Sequence, residues 1–304
     1  MSAPASLQIQ LVLYQTSPAT ARRTVDAVGA AVRHARAHTP LERAELVIGD
    51  CSPDPCLSSA DVEEFRALPL SSELATTTST HFGENLGSAG GSNRLAGGAT
   101  ADALLVLNPD TYPAPTMITE LLQVLDDPTV AVAEGRQIPL EHPKAFDPVT
   151  GDASFASGCC SLVRRSVFED VGGYDAVNFP MYCDDVDFSW RVRARSVRVV
   201  HVPTAVLFHD KRVGVLDGRP FTASSPLEIY WSFLARLLLA HKWARPDIVE
   251  ETLVAAGASD DPDVKRAIDD YRARERAGTL PSEEPGAARV ADFVSGGSFG
   301  PHRF

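Results

Sequence analysis

Long apolar runs are missing from this 304-residue chain. The longest, Phe233 to Ala240, is broken by Arg236 and falls far short of the ~20 residues that a membrane-spanning helix needs. The opening residues, MSAPASLQIQLVLYQTS, have no basic segment ahead of their short apolar stretch. They read as a first strand and not as an export signal, which predicts a cytoplasmic protein. Positive charge is in deficit: 28 Lys and Arg against 40 Asp and Glu give a net charge of −12. A broad cationic footprint for nucleic acid is thereby excluded, and anionic ligands must be met by local sites. Cysteine is scarce, and Cys51, Cys56, Cys159, Cys160 and Cys183 form neither a C-x-x-C pair nor a zinc spacing, so they read as reduced structural thiols. Phosphate-loop signatures are absent too. Gly83 to Asn93, GENLGSAGGSN, matches neither G-x-x-x-x-G-K-[ST] nor G-x-G-x-x-G, which argues against phosphate-loop ATPases and dinucleotide dehydrogenases. With 44% apolar and 22% charged residues, disorder as the dominant state is excluded.

What is present alternates between two periods. Leu7 to Tyr14 is a short β-type run, and Thr20 to Ala37 sets Val25, Val28, Ala31, Val32 and Ala35 at helical spacing. A second unit follows: Glu45 to Ile48, a Ser-Pro-Asp-Pro turn, and a helical Ala60 to Leu68. A polar stretch, Thr76 to Thr80, leads into Asn85-Leu86-Gly87, a helix from Ala89 to Ala101, and the wholly apolar strand Ala103 to Leu107. Such alternation predicts an α/β fold with a mostly parallel central sheet flanked by helices, and ligands at the carboxyl ends of its strands. Past Asp110 the pattern loosens. Helices are expected over Pro115 to Leu125, Arg165 to Val171 and Asp184 to Arg193, with strands near Val130 to Ala133, Val197 to Val202 and Ala205 to Phe208. An amphipathic helix over Ser225 to Trp243, further helical segments to about Ala277 and a loose tail from Gly278 complete the chain.

Carboxylates gather where strands end. Asp50 with Ser52 follows the second strand, where an Asx turn would use the same residues. Asn108-Pro109-Asp110 ends the apolar strand, and Asp110 suits either a helix cap or a single oxygen ligand for a cation held with a diphosphate. In Asp184-Asp185-Val186-Asp187, the helix dipole explains part of the acidity; adjacent carboxylates diverge, so one can cap while the other faces a cleft as general base. His209 closes the last strand and can ligate a manganese-like ion, Gly158 permits close approach of a ligand, and Asn85-x-Gly87 feeds a helix N-terminus whose N–H groups can meet a phosphate or sugar.

In this order, the segments resemble family 2 glycosyltransferases of the GT-A fold, especially the rhamnosyltransferase- and galactofuranosyltransferase-like branch. Val12-Leu13-Tyr14-Gln15 resembles that family's first strand, Gly49-Asp50-Cys51-Ser52 its Asp-Asn-x-Ser, and Asn85 to Asn93 its Asn-x-Gly-x-x-x-Gly-x-Asn. Leu107-Asn108-Pro109-Asp110-Thr111 is similar to its Leu-Asn-Pro-Asp form of Asp-x-Asp, and Ser157-Gly158-Cys159-Cys160 and Gly172-Gly173-Tyr174-Asp175 to its Ser-Gly-Ala and Gly-Gly-Phe-Asp. Met181 to Arg191 is similar to its Met-Tyr-x-Glu-Asp-Val-Asp-x-x-x-Arg, with His209 at the metal-binding histidine. Gln15, Cys51 and Asp184 stand where the family has Asn, Asn and Glu. The likeness runs from about Gln8 to Arg212.

The resemblance implies an inverting hexosyltransferase that uses a UDP- or dTDP-sugar, with rhamnose or galactofuranose as examples, and a glycan or lipid-linked acceptor. It implies Asp185 as general base with Asp184 beside it, and Asp110 with His209 holding Mn²⁺ or Mg²⁺. It implies Tyr14, Gln15, Asp50 and Ser52 around the base, and Asn85, Gly87, Asn93, Asn108 and Gly158 along the ribose, phosphates or donor sugar. A catalytic domain is expected over 1–215, with a donor half to about 112, followed by a helical extension over 216–304. The main alternative is a non-catalytic nucleotide-sugar or glycan-binding protein of the same fold. A sugar nucleotidyltransferase would want a basic Gly-rich loop after the first strand, and Tyr14 to Pro18 is not one. The helix from Pro226 to Trp243 can cover the core, pair in a homodimer, or rest on an anionic membrane through Arg236, His241, Lys242 and Arg245; core packing is the favoured reading. The end from Ser295 to Phe304 is expected to be flexible and a candidate for partner contacts.

Overall fold

The computed structural model describes residues 3–141, 144–210, 213–216, 219–222, 225–284 and 290–293, the strands over 213–222 by backbone alone. Its centre is an eight-stranded sheet of order β3-β2-β1-β4-β7-β6-β8-β5. The strands are β1 (Ser6–Leu13), β2 (Arg43–Asp50), β3 (Thr76–His81), β4 (Ala103–Leu107), β5 (Thr111–Pro113), β6 (Val130–Ile138), β7 (Cys160–Arg164) and β8 (Arg198–His209). β3, β2, β1 and β4 run parallel, as do β6 and β8, whereas β7 and β5 are antiparallel to their neighbours. Among the described residues a separate hairpin, β9 (Val213–Leu216) with β10 (Arg219–Thr222), follows the sheet.

Helices cover both faces because the strands are apolar on both. Every residue of β4 is buried, as expected of a strand flanked on both faces. On one face lie α1 (Pro18–His38) and α4 (Met117–Val124), packing Val25, Val28, Val32, Ile118 and Leu121 on Ile9, Leu11 and Leu105. On the other lie α3 (Gly87–Ala96), α5 (Arg165–Asp170) and α6 (Asp184–Ala194), which meet Leu104, Val132, Val163 and Val199. Local chemistry sets the helix starts. Ser17 caps α1 ahead of Pro18, and Ser58 with Asp61 forms a capping box on α2 (Ser59–Arg66).

A further layer forms from α7 (Pro226–Lys242), α8 (Pro246–Gly257) and α9 (Pro262–Ala277). Leu234, Leu237, Leu238 and Trp243 are fully buried against Phe179, Val186 and Trp190, so α6 and the C-terminal helices share one core. Each such leucine contributes about 1.5–3 kcal/mol of burial. Of the cations expected on that face, Lys242 at the end of α7 and Arg245 just beyond it are paired with carboxylates of the protein. No helix among the described residues is long and apolar enough to cross a membrane.

Several sequence expectations need correction. Thr76–His81 is an edge strand, polar because most of its side chains face solvent. The two strands expected after residue 197 are one continuous β8, and the strand at Val130 runs on to Ile138 because β8 pairs along its whole length. The chain after Gly278 is not loose throughout: Val290 is buried and Phe293 packs edge-on against Trp190 at 5.1 Å. The end from Ser295 to Phe304 lies outside the described residues.

Candidate active site at the carboxyl ends of the strands

The ends of β1 and β2 are joined in register, Leu13 beside Asp50, and the loops that leave them interlock. Asp50 is 2% exposed, and its two oxygens accept the N–H groups of Ser52 at 2.9 Å and Cys56 at 2.6 Å. Burial works against ionisation of this carboxyl, but these hydrogen bonds outweigh it and hold Asp50 below the usual carboxylate range. Ser52 Oγ accepts the Gln15 N–H at 2.7 Å, which leaves Tyr14 and Gln15 exposed above it. Asp50 and Ser52 therefore shape the loop, and the side chains exposed on it are those of Tyr14 and Gln15.

Beside these loops α3 begins. Gly87 has φ +68°, and a Cβ there would collide with the Pro180 carbonyl oxygen, so glycine alone allows α3 to approach the 175–183 loop. Asn85 is exposed and its Oδ1 accepts the Gly87 N–H at 3.1 Å. Asn93 spends both ends of its amide on the backbone of Tyr174, at 2.8 and 2.9 Å, and so clamps the Gly172-Gly173-Tyr174 turn to α3. Any direct ligand contact by Asn93 would compete with that clamp.

Asp110 and His209 are brought together by the pairing of β5 with β8, which sets Thr111 beside His209. His209 Nε2 lies 3.4 Å from Asp110 Oδ1, and Nδ1 faces Gln137 Oε1 at 3.0 Å and Cys159 Sγ at 3.2 Å. The Gln137 oxygen can accept from Nδ1–H, and in that tautomer the lone pair stands on Nε2, as in metal-ligating imidazoles. The Asp110 side chain is 40% exposed, so its carboxylate is open to solvent beside His209. Among the described residues no cluster of three or more His, Cys, Asp or Glu could enclose a metal. The pair fits a divalent ion that takes its remaining oxygens from a diphosphate and water.

The acidic block opens α6. Tyr182 and Cys183 both adopt left-handed backbone, φ 65° and 60°, immediately before it, a costly pair of conformations of the kind that clusters at functional sites. Asp187 is fully buried and committed: Arg191 Nε donates to it at 2.8 Å, Trp243 Nε1 at 3.1 Å, and Lys242 lies at 2.9 Å. Asp184 is 9% exposed and touches Ser88 Oγ at 3.4 Å. Burial, then the neighbouring Asp185, push its carboxyl up to about 8. Asp185 is less enclosed and accepts the Gly158 N–H at 2.9 Å and the Val186 N–H at 2.8 Å. Its carboxyl is raised by burial, which those amides oppose without cancelling.

One short segment links these parts. Gly158 holds Asp185, the Cys159 carbonyl accepts the Asn108 N–H at 3.0 Å, and Cys159 Sγ reaches His209. Sequence reasoning singled out Gly158 for close approach of a ligand and did not see this bridging role. It also missed Ser88, Gln137, Trp243, and the buried Glu134 and Lys144, although a lone glutamate inside Val130 to Gly135 was a visible signal. A cavity of about 490 Å³ lies away from these strand ends, and its two arginines, Arg193 and Arg198, are already paired with Asp292 and Asp152.

The architecture is that of the GT-A glycosyltransferases. A mannosyltransferase from Pyrobaculum calidifontis, in complex with GDP-Man and Mn²⁺, superimposes with a TM-score of 0.55 at 16% identity over 92% of this chain and 84% of its own. GalNAc-T7 with UDP, GalNAc and Mn²⁺ gives 0.62 at 15% identity, over 95% of this chain and 57% of the other. TarS of S. aureus gives 0.55 at 12% identity over 91% and 50%. These likenesses establish the fold. In sequence, 66 residues are 41% identical to N-acetylglucosaminyl-diphospho-decaprenol L-rhamnosyltransferase of Mycobacterium tuberculosis, a match that spans 22% of this chain and 21% of that protein. No protein-family profile matches the chain.

Proposed function

We propose that this protein is an inverting, metal-dependent glycosyltransferase that moves a hexose from a UDP- or dTDP-sugar to a hydroxyl of a glycan or lipid-linked acceptor. The observation that carries the reading is the Asp185 carboxylate, held by the Val186 amide of α6 and by the amide of Gly158, whose neighbour Cys159 touches Asn108 and His209. The Mn²⁺-bound neighbours of the same fold and the partial rhamnosyltransferase match support it, the latter making a dTDP-rhamnose donor the first to try.

Asp185 takes the proton of the acceptor hydroxyl as its oxygen attacks the anomeric carbon, and a carboxyl raised by burial is a stronger base than a free aspartate. Asp110 and His209 would hold a divalent ion, Mn²⁺ or Mg²⁺, which would supply positive charge against that of the departing nucleoside diphosphate. Tyr14 and Gln15 face the base on the loop fixed by Asp50 and Ser52; Asn85, Gly87 and Asn108 line the way to the phosphates and sugar, and Asn93 holds the Tyr174 turn. The donor half is assigned to about 1–112 and the catalytic half to about 113–215.

The test is a calorimetric titration of the purified protein with UDP-, dTDP- and GDP-sugars, with Mn²⁺ or Mg²⁺ and then with chelator. Metal-dependent binding of one uridine or thymidine diphosphate sugar is expected. Failure to bind any of them under either condition overturns the reading.

A further inference from the structure

Behind the Asp185 loop lies a buried ionic cluster that the proposed reaction does not use. Glu134 of β6 and Lys144 of the following loop form an ion pair in which both side chains are fully buried. Lys144 also lies 3.7 Å from Glu141, and His201 of β8 presents Nδ1 to the second Glu134 oxygen at 3.2 Å. Burial would push the Glu134 carboxyl up, but the Lys144 ammonium and His201 outweigh it and hold it down at about 2. Such a pair is a weak source of stability, because apolar residues of similar volume often serve as well. Its position is more telling.

Glu134 Oε1 accepts the Ser157 N–H at 2.9 Å, and the next amide in the chain, that of Gly158, donates to Asp185 Oδ2 at 2.9 Å. Two consecutive peptide N–H groups thus connect one buried carboxylate to the other. The two N–H groups belong to adjacent planar peptides that meet at the Cα of the buried Ser157, so with the first held by Glu134 only the φ and ψ rotations of Ser157 can re-aim the second. We infer that Glu134, charge-balanced by Lys144, is a positioning residue for Asp185 and holds that carboxylate through the backbone of Ser157. The inference rests on Asp185 being the base.

Electrostatics adds to the geometry. Beyond the two amides, Glu134 disfavours ionisation of Asp185 and Lys144 favours it. The other titratable groups facing Asp185 are Asp184 and Cys183 at the start of α6 and Tyr174 from the preceding turn. His201 and Glu141 stand one contact further back, against Glu134 and Lys144.

Glu134→Gln keeps an acceptor for the Ser157 N–H and removes the charge. In protein labelled with ¹³C at aspartate carboxyls, with the Asp185 signal identified by its loss in Asp185→Asn, the Asp185 titration midpoint should fall by about 0.5–1 pH unit. An unmoved midpoint in folded Glu134→Gln makes Glu134 purely structural and overturns the inference. Should that variant not fold, Glu134→Gln combined with Lys144→Met removes both charges of the pair and leaves Glu141 with the Gln137 N–H and His201; a smaller fall is expected, and no fall overturns the inference as before. Sugar transfer by Asp185→Asn decides the underlying assignment separately: activity retained there removes the base, whatever the titration shows.

Discussion

Asp184 and Asp185 share a peptide bond and differ in what surrounds them. Asp185 has two amide donors and an open side, whereas Asp184 has burial and a neighbouring negative charge. Asp185→Asn should therefore lower sugar transfer by about 10²–10⁴-fold with nucleotide-sugar affinity unchanged, read by a transfer assay beside calorimetry. Loss of both would mean that Asp185 holds the fold and not the proton. Asp184 makes a different prediction through linkage. Its folded carboxyl is raised to about 8 from 3.8, so the folded state keeps a proton that the unfolded chain releases. Its contribution is fully present below the unfolded value and is lost as pH rises toward 8. Asp184→Asn should remove that loss, and the variant should gain about 1 kcal/mol or more on wild type between about pH 5 and pH 8 in urea unfolding. An equal pH response in the two proteins would contradict the burial described here.

At the scale of elements, the end of α7 is a clasp on the start of α6. Lys242 sits between Asp175 and Asp187, at 2.9 Å from each, and Trp243 donates to the same Asp187. With its side chain 7% exposed, the lysine is barely screened by water. Lys242→Met takes the ammonium from two carboxylates, leaving Asp187 with Arg191 and Trp243 and Asp175 with Asn178, and should cost about 3 kcal/mol, and Trp243→Phe about 1 kcal/mol for the lost hydrogen bond, both read from chemical denaturation. A loss below about 1 kcal/mol for Lys242→Met would show that the clasp is not tight. None of this was legible in the chain, where Lys242 reads as one cation of an amphipathic helix. The sequence did disclose what is local: the apolar β4 delivering Asn108 and Asp110, the acid block opening α6, and the i, i+4 pair of Asp187 with Arg191. It hid what depends on pairing between distant strands. The contact of Asp110 with His209 exists only through β5 and β8, the Glu134–Lys144 pair requires β6 to be covered by a loop, and β3 looks like a polar linker until β2 pairs with it.

For the whole molecule the open question is whether the C-terminal helices are an appendage or part of the folding unit. The core argues for the second. Phe179, Val186 and Trp190, in and just before α6, are buried by Leu234, Leu237, Leu238, Trp243 and Tyr271, and Phe293 closes over Trp190. A chain ending before Ser225 would expose that apolar face and strip Asp187 of two of its three partners, so it should be insoluble or unfold without a cooperative transition. The intact chain offers a finer measurement, because Trp190 and Trp243 meet edge-on in the seam between α6 and α7 and the third tryptophan, Trp231, packs against the same cluster. Tryptophan fluorescence therefore reports the seam, and far-ultraviolet circular dichroism reports the helices and sheet together. One cooperative unit requires the two midpoints to coincide in a denaturant titration. A fluorescence change that precedes the loss of helix and sheet would mean that α7–α9 detach first, and the acid block would then owe its geometry to a layer that can open independently of the sheet.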